Sequence, residues 1–176
     1  MNFVILGVGS NRSWQGNDKL KLLRLAFDKL GAVLSELKCS SVYRTKPMYV
    51  EDQDDFYNMA VCGYAEDDVS PFDLLKSVNK IEAELGRNRK KEIRNGPRSI
   101  DIDIEIFSDR QINTRELQIP HPRIKERAFV LVPALEILGQ SADSKIRQTF
   151  AEYLLEIDSS GVQKVCDSKD FINIEV

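Results

Sequence analysis

The chain has 176 residues, 42% of them hydrophobic and 30% charged, with a net charge of −3. That balance fits one soluble domain, 1–176, with a real core, and the acidic total argues against a general nucleic-acid binder, which is normally basic. Three scattered cysteines (Cys39, Cys62, Cys166) form no CxxC pair, which speaks against a disulfide framework or zinc site and for a reducing, cytoplasmic setting.

Phe3 to Val8 is a short apolar run closed by Gly9-Ser10-Asn11. It is too short to cross a membrane and lacks a basic flank or cleavage site, so a buried strand and tight turn are expected. From Asp18 to Leu30, Leu20, Leu23, Ala26, Phe27 and Leu30 recur at helical spacing, with Asn17 or Asp18 as cap and Gly31 as stop. Strands are expected near 33–44 and 56–65, joined by an acidic loop carrying Pro47. Ser70-Pro71-Phe72-Asp73 begins a second helix, with a Ser cap, Pro at the first position and an acid three residues after the cap. Leu74, Leu75, Val78, Ile81 and Leu85 form its buried stripe, and Gly86 ends it. Asn79 and Glu82, three apart, share its polar face.

The loop from Arg87 to Arg98 carries six cations (Arg87, Arg89, Lys90, Lys91, Arg94, Arg98) against Glu92 alone. A strand, Ile100 to Phe107, follows. Then come a loop, the segment Ile119 to Leu138, a helix near 144–157 and a last strand near 171–176. The order strand–helix–strand–strand–helix–strand predicts an α+β, ferredoxin-like fold, an antiparallel sheet with helices packed on one face. That fold hosts many activities and decides none of them.

Chemistry concentrates in Gly96-Pro97-Arg98-Ser99-Ile100-Asp101-Ile102-Asp103-Ile104. Strand alternation points Ile100, Ile102, Ile104 and Ile106 to the core and Asp101 and Asp103 together to the other face, their Cα atoms about 6.5–7 Å apart. A wet sheet face would also alternate, but Asp is depleted in strands, and two on one face repel each other. Carboxylates so placed can share a pair of Mg²⁺ ions, which bind oxygen and lean on substrate phosphates. The basic loop just upstream then makes sense as a lid that closes over a polyphosphate; a merely solvated charge run is the plainer alternative. His121 is the sole histidine, so a three-His metal site is excluded. Arg123, Lys125 and Arg127 after it form a second cationic cluster. No Gly-x-x-x-x-Gly-Lys loop is present, and Gly7-Val8-Gly9 lacks the third glycine of a dinucleotide fingerprint because Arg12 stands there.

Further landmarks are Tyr43-Arg44-Thr45-Lys46-Pro47, Phe56-Tyr57-Asn58, Gly86-Arg87-Asn88-Arg89 and Pro120-His121-Pro122-Arg123, continuing through Arg127, Phe129 and Pro133. With Gly9-Ser10-Asn11 and Gly-Pro-Arg-Ser-Ile-Asp-Ile-Asp, they make residues 3–138 resemble the 6-hydroxymethyl-7,8-dihydropterin pyrophosphokinases. The resemblance implies transfer of pyrophosphate from ATP, as co-substrate, to a pterin hydroxymethyl group, with AMP leaving, in folate biosynthesis. It implies two Mg²⁺ ions on Asp101 and Asp103, and Arg87 and Arg98 stabilising the transferred charge. Asn79, Glu82, Arg89, His121 and Arg127 would line the ATP site. Thr45, Pro47, Met48 and Asn58 would contact the pterin edge, with Phe56 and Phe129 stacked on its faces. Ordinary core packing is the plainer role for both phenylalanines. Asp103 is a candidate proton acceptor; a metal-activated hydroxyl would need no dedicated base. Two positions depart from the family's pattern, Asn95 where an aromatic residue is often found and Glu105 where an apolar one is commoner. The partners implied are small molecules, with no nucleic acid or membrane, and a monomer is expected. The alternatives are a ferredoxin-like nucleic-acid-binding module, which would carry a string of surface aromatics, and a kinase transferring one phosphoryl group.

Overall fold

β1 (Asn2–Ser10) is the middle of the sheet, pairing antiparallel with β4 (Phe56–Ala65) on one side and β5 (Asp101–Phe107) on the other. The computed structural model describes residues 1–48, 52–89, 92–93, 96–139 and 145–176. The far edge of β4 is shared by β2 (Ser35–Cys39) and β3 (Val42–Thr45), and β8 (Gln163–Cys166) covers β3. The strand expected over 33–44 is therefore two. Ser41 interrupts it by turning its amide and hydroxyl to the Glu136 carboxylate (3.1 and 2.7 Å).

α1 (Lys19–Leu30) starts where the Asp18 side chain accepts the Lys21 N–H, at 2.9 Å. α2 (Pro71–Glu84) has both halves of its capping box, Ser70 accepting from the Asp73 amide and Asp73 from the Ser70 amide. Gly86, at φ +90°, then turns the chain beneath Trp14; a Cβ there would lie 2.5 Å from the indole. Leu23, Ala26 and Leu30 of α1 and Leu74, Val78 and Ile81 of α2 pack on Val4, Leu6 and Val8 of β1. The neighbours β5-β1-β4-β3 are all antiparallel, which gives the expected ferredoxin-like arrangement.

Helices cover both faces of the sheet, however, not one. α3 (Ala128–Leu138) and α4 (Lys145–Leu155) place Val130, Leu131, Ala134 and Phe150 against Ile5, Ala60, Cys62 and Ile106. The unbroken apolar run of β1 is the cause, since a strand apolar at every position must be buried on both sides. Ile106 is a second correction. Leu6 faces Ile104 but Ile5 faces Ile106, so a bulge at Glu105 turns Ile106 toward α3, and Phe107 joins the first core instead.

The loop after β5 contains a small hairpin, β6 (Ile112–Asn113) with β7 (Gln118–Ile119). No strand forms at 171–176. β8 takes the sheet edge and α5 (Ser168–Ile172) follows, burying Phe171 against Phe27, while Arg24 binds the carbonyls of Ile172 and Ile174 (2.6 and 2.7 Å). Among the described residues no helix is long and apolar enough to cross a membrane.

Candidate active site

At one end of the sheet, Asp101, Gly9, Asn58 and Tyr43 stand opposite one another on β5, β1, β4 and β3; Asp103, Gly7 and Ala60 form the next row. Opposed residues project from the same face. With glycine at both central positions no side chain rises from β1 there, and an open cleft lies over that face. The approach is close, because a Cβ on Gly9 would sit 2.7 Å from Asn58 Oδ1. The two carboxylates are thus brought together on one wall, as the strand pleat predicts.

Each carboxylate is matched by arginine. Asp101 accepts from Arg87 Nη1 and Arg98 Nη1, both at 2.7 Å, and Asp103 from Arg127 Nη1 at 2.7 Å. Arg87 also donates to the Ile100 carbonyl (2.8 Å) and pairs with Glu92 (2.6 Å). Arg89 and Arg123 line the same cleft. Asn11 frames it from below, with its Oδ1 accepting the Arg98 N–H (2.8 Å) and its Nδ2 reaching Gln53 and the Asp54 carbonyl. Gly7, Gly9, Lys46 and Gln53 also line the cleft, and the motif reading left them without a role. The signal for the glycines was their alternation in phase with Ile5 along β1.

Beside the arginines are two aromatic rings. Phe56 and Phe129 are half-buried and both line the cleft, and Phe129 also packs against the core beneath α3. An arginine guanidinium stands over each ring, Arg98 on Phe56 and Arg127 on Phe129, both 5.6 Å from the centroid. In the same cleft Asn58 donates to Thr45 (2.8 Å), and Met48 and Lys46 close the rim.

Other expected residues lie elsewhere. Pro47 and Asn79 line neither this cleft nor the cavity beside it. Glu82 is fully buried, not on a polar surface: it accepts the Ile102 N–H (2.8 Å) and holds Arg89 through Oε2 (2.6 Å), acting one step behind the cleft. Lys125 leaves the cationic cluster, since the short 3-10 helix Ile124–Glu126 turns it over the Tyr153 ring at 4.9 Å. Lys90, Lys91, Arg94 and Asn95 lie outside the described residues.

The charges act on one another. Burial pushes Asp103 up, but the charges of Arg127, His121 and Arg98 and the Arg127 hydrogen bond together hold the carboxyl below its usual range. Burial and then the Asp101 charge raise Glu82, against the pull of Arg89 and Arg87. Burial, reinforced by Asp103, raises Glu105 well above its usual value. His121 is driven down from 6.5 to about 4 by burial and by Arg127. Its Nδ1 accepts the Arg123 N–H (3.2 Å), which leaves Nε2–H of the neutral ring as a donor. Between pH 6.5 and about 4 the unfolded chain therefore binds more protons at this residue than the folded one. Metal-free protein is expected to lose thermal stability as pH falls through that window. His121→Asn should flatten that part of the Tm–pH curve, and an unchanged slope would count against it.

Among the described residues no group of three or more His, Cys, Asp or Glu is arranged to hold a metal alone. The donor set of two oxygen-bearing carboxylates facing one cleft fits Mg²⁺, which takes one or two carboxylates and completes its shell from phosphates and water. A paired carboxylate wall, several arginines and two aromatic rings around one cleft suit an enzyme that handles phosphate groups and a flat ring.

The chain belongs to the 7,8-dihydro-6-hydroxymethylpterin-pyrophosphokinase family, whose pattern matches residues 5–139. It is similar to the 2-amino-4-hydroxy-6-hydroxymethyldihydropteridine pyrophosphokinase of Bacillus subtilis, 43% identical over 79% of this chain and 80% of the relative. The protein of the same name from Methylorubrum extorquens is 39% identical over 94% of this chain and 99% of that one. Among solved structures, the Plasmodium falciparum HPPK-DHPS crystal structure shares the fold, with a TM-score of 0.62 at 15% identity. That match covers 93% of this chain, which spans 47% of the crystallised one. The protein is an ATP-dependent pyrophosphokinase of folate biosynthesis, and the nucleic-acid-binding and single-phosphoryl alternatives are not favoured.

Proposed function

We propose that the two halves of the cleft divide the reaction between them. The pyrophosphoryl group of ATP passes to the hydroxymethyl oxygen of 6-hydroxymethyl-7,8-dihydropterin, and AMP leaves. The reading is carried by one observation, the row in which Asp101 and Asn58 flank the bare Gly9 and so face the same space.

The pterin lies between Phe56 and Phe129, its edge met by Asn58, Thr45 and Met48. Offset stacking between two rings suits a flat heteroaromatic system. The triphosphate runs along Arg87, Arg89, Arg98 and Arg127, with His121 donating from Nε2. The base enters the adjoining cavity walled by Leu75, Ile104 and Leu117, which shares Arg89, Asp103 and His121 with the main cleft. Asp101 and Asp103 would hold two Mg²⁺ ions, which supply charge neutralisation to the β- and γ-phosphates and polarise the attacking hydroxyl. Arg87, Arg98 and Arg127 are paired with these carboxylates and Arg89 with Glu82; as phosphate arrives they exchange partners, so little new charge must be desolvated. Positioning and electrostatics then supply the acceleration. The protein works on small molecules, as a cytoplasmic monomer.

Incubating the protein with ATP, Mg²⁺ and the dihydropterin, and resolving the nucleotides, tests the reading. AMP formed in step with pterin consumption is expected; ADP would refute pyrophosphoryl transfer. Gly9→Ala should raise the KM for the pterin about tenfold, because its Cβ displaces Asn58, while the KM for ATP changes little. Equal changes in both constants would show that Gly9 serves the fold and not the pterin site.

A further inference from the structure

Glu105 takes no part in the scheme above and is chemically out of place. It is fully buried, and neither carboxyl oxygen has a hydrogen-bond partner. Such a group costs stability relative to an apolar side chain of similar size. Room is nonetheless kept for it, since a Cβ on Gly7 would come within 3.0 Å of Oε1. The bulge in β5 adds to this, because it leaves Glu105 on the cleft side and hands the apolar layer below to Ile106.

The cation nearest Glu105 is Arg127. Nη1 of that guanidinium lies 2.7 Å from Asp103 Oδ2 and 3.7 Å from Glu105 Oε1, so it stands between two carboxyl groups of one strand. Asp103 has two duties in the proposed scheme, to the guanidinium and to a divalent cation. A carboxylate coordinated to a cation has less charge left for an arginine. Glu105 is then the acid that stays with Arg127, beneath it and away from the mouth. With Glu105 removed that second carboxyl contact is lost, and the guanidinium is held less firmly over the Phe129 ring on which it rests.

We propose that Glu105 is a positioning residue that keeps the Arg127 guanidinium in its working place when Asp103 turns to other partners. The proposal rests on the site reading in which Arg127 meets the phosphates. Four variants test it: E105L, E105Q, R127A and the double variant E105L/R127A, each measured for kcat, for KM of ATP, and for Tm without metal.

E105L should raise the Tm yet lower kcat about tenfold, the cost of a modest misplacement of a group that must be positioned. E105Q keeps an acceptor and should stay within about threefold of wild type. In the R127A background E105L should add no further loss, because residues acting through one another are not additive. Turnover of E105L within about twofold of wild type would overturn the proposal, as would an equal loss in the R127A background. A Tm below wild type for E105L would mark Glu105 as structural and overturn it too. An R127A variant with normal turnover would instead remove the site reading underneath.

Discussion

Asp101→Asn is expected to lower kcat on the order of 10³-fold while leaving the fold in place. Asparagine has the same shape but keeps only one of the two acceptors, so the cleft wall loses its charge and one of its two arginine contacts. The partners are not stranded by the change. Arg87 retains the Ile100 carbonyl and Glu92, and the backbone of Arg98 stays pinned by Asn11. Circular dichroism and Tm should therefore stay close to wild type, while Mg²⁺ binding in the presence of an ATP analogue weakens. Asp103→Asn should behave alike. If either variant kept near-normal turnover, the metal assignment would fail, since no other pair of acids lines the cleft beside these two among the described residues except through the buried Glu105.

Arg98→Ala is expected to reduce kcat by about 10²–10³-fold and to raise the KM for ATP much less. The guanidinium lies between Asp101 and the Phe56 ring, where nucleotide and pterin halves of the cleft meet. Charge placed there is felt by the group in transit more than by the bound nucleotide. The main chain is held on both sides by Asn11, which accepts from the Arg98 amide and donates its own to the Arg98 carbonyl. The loss is thus confined to the side chain. Arg98→Lys should rescue little, because a point charge does not reproduce the planar fork. An effect limited to KM would reduce Arg98 to a docking contact.

The carboxylate pair was legible in the sequence because strand alternation is rigid and aspartate is costly in a strand unless something repays its place. The helix starts were legible because caps are local chemistry. Ile106 was not, since a bulge changes the register without a signature in the residues around it. Glu82 was not either: helical spacing places it on a polar face, but only the packed structure brings the Ile102 amide there to meet it. The second helical layer could have been inferred from β1, whose apolar run leaves no face for water. Lys125 leaves the cluster because its segment winds into a 3-10 turn, which residue spacing alone does not announce.

Trp14 is the only tryptophan of the chain, and its indole rests on Gly86, where α2 gives way to the arginine-bearing segment. The protein thereby carries an intrinsic optical reporter at the turn that leads into Arg87 and Arg89, with no second indole to blur its emission.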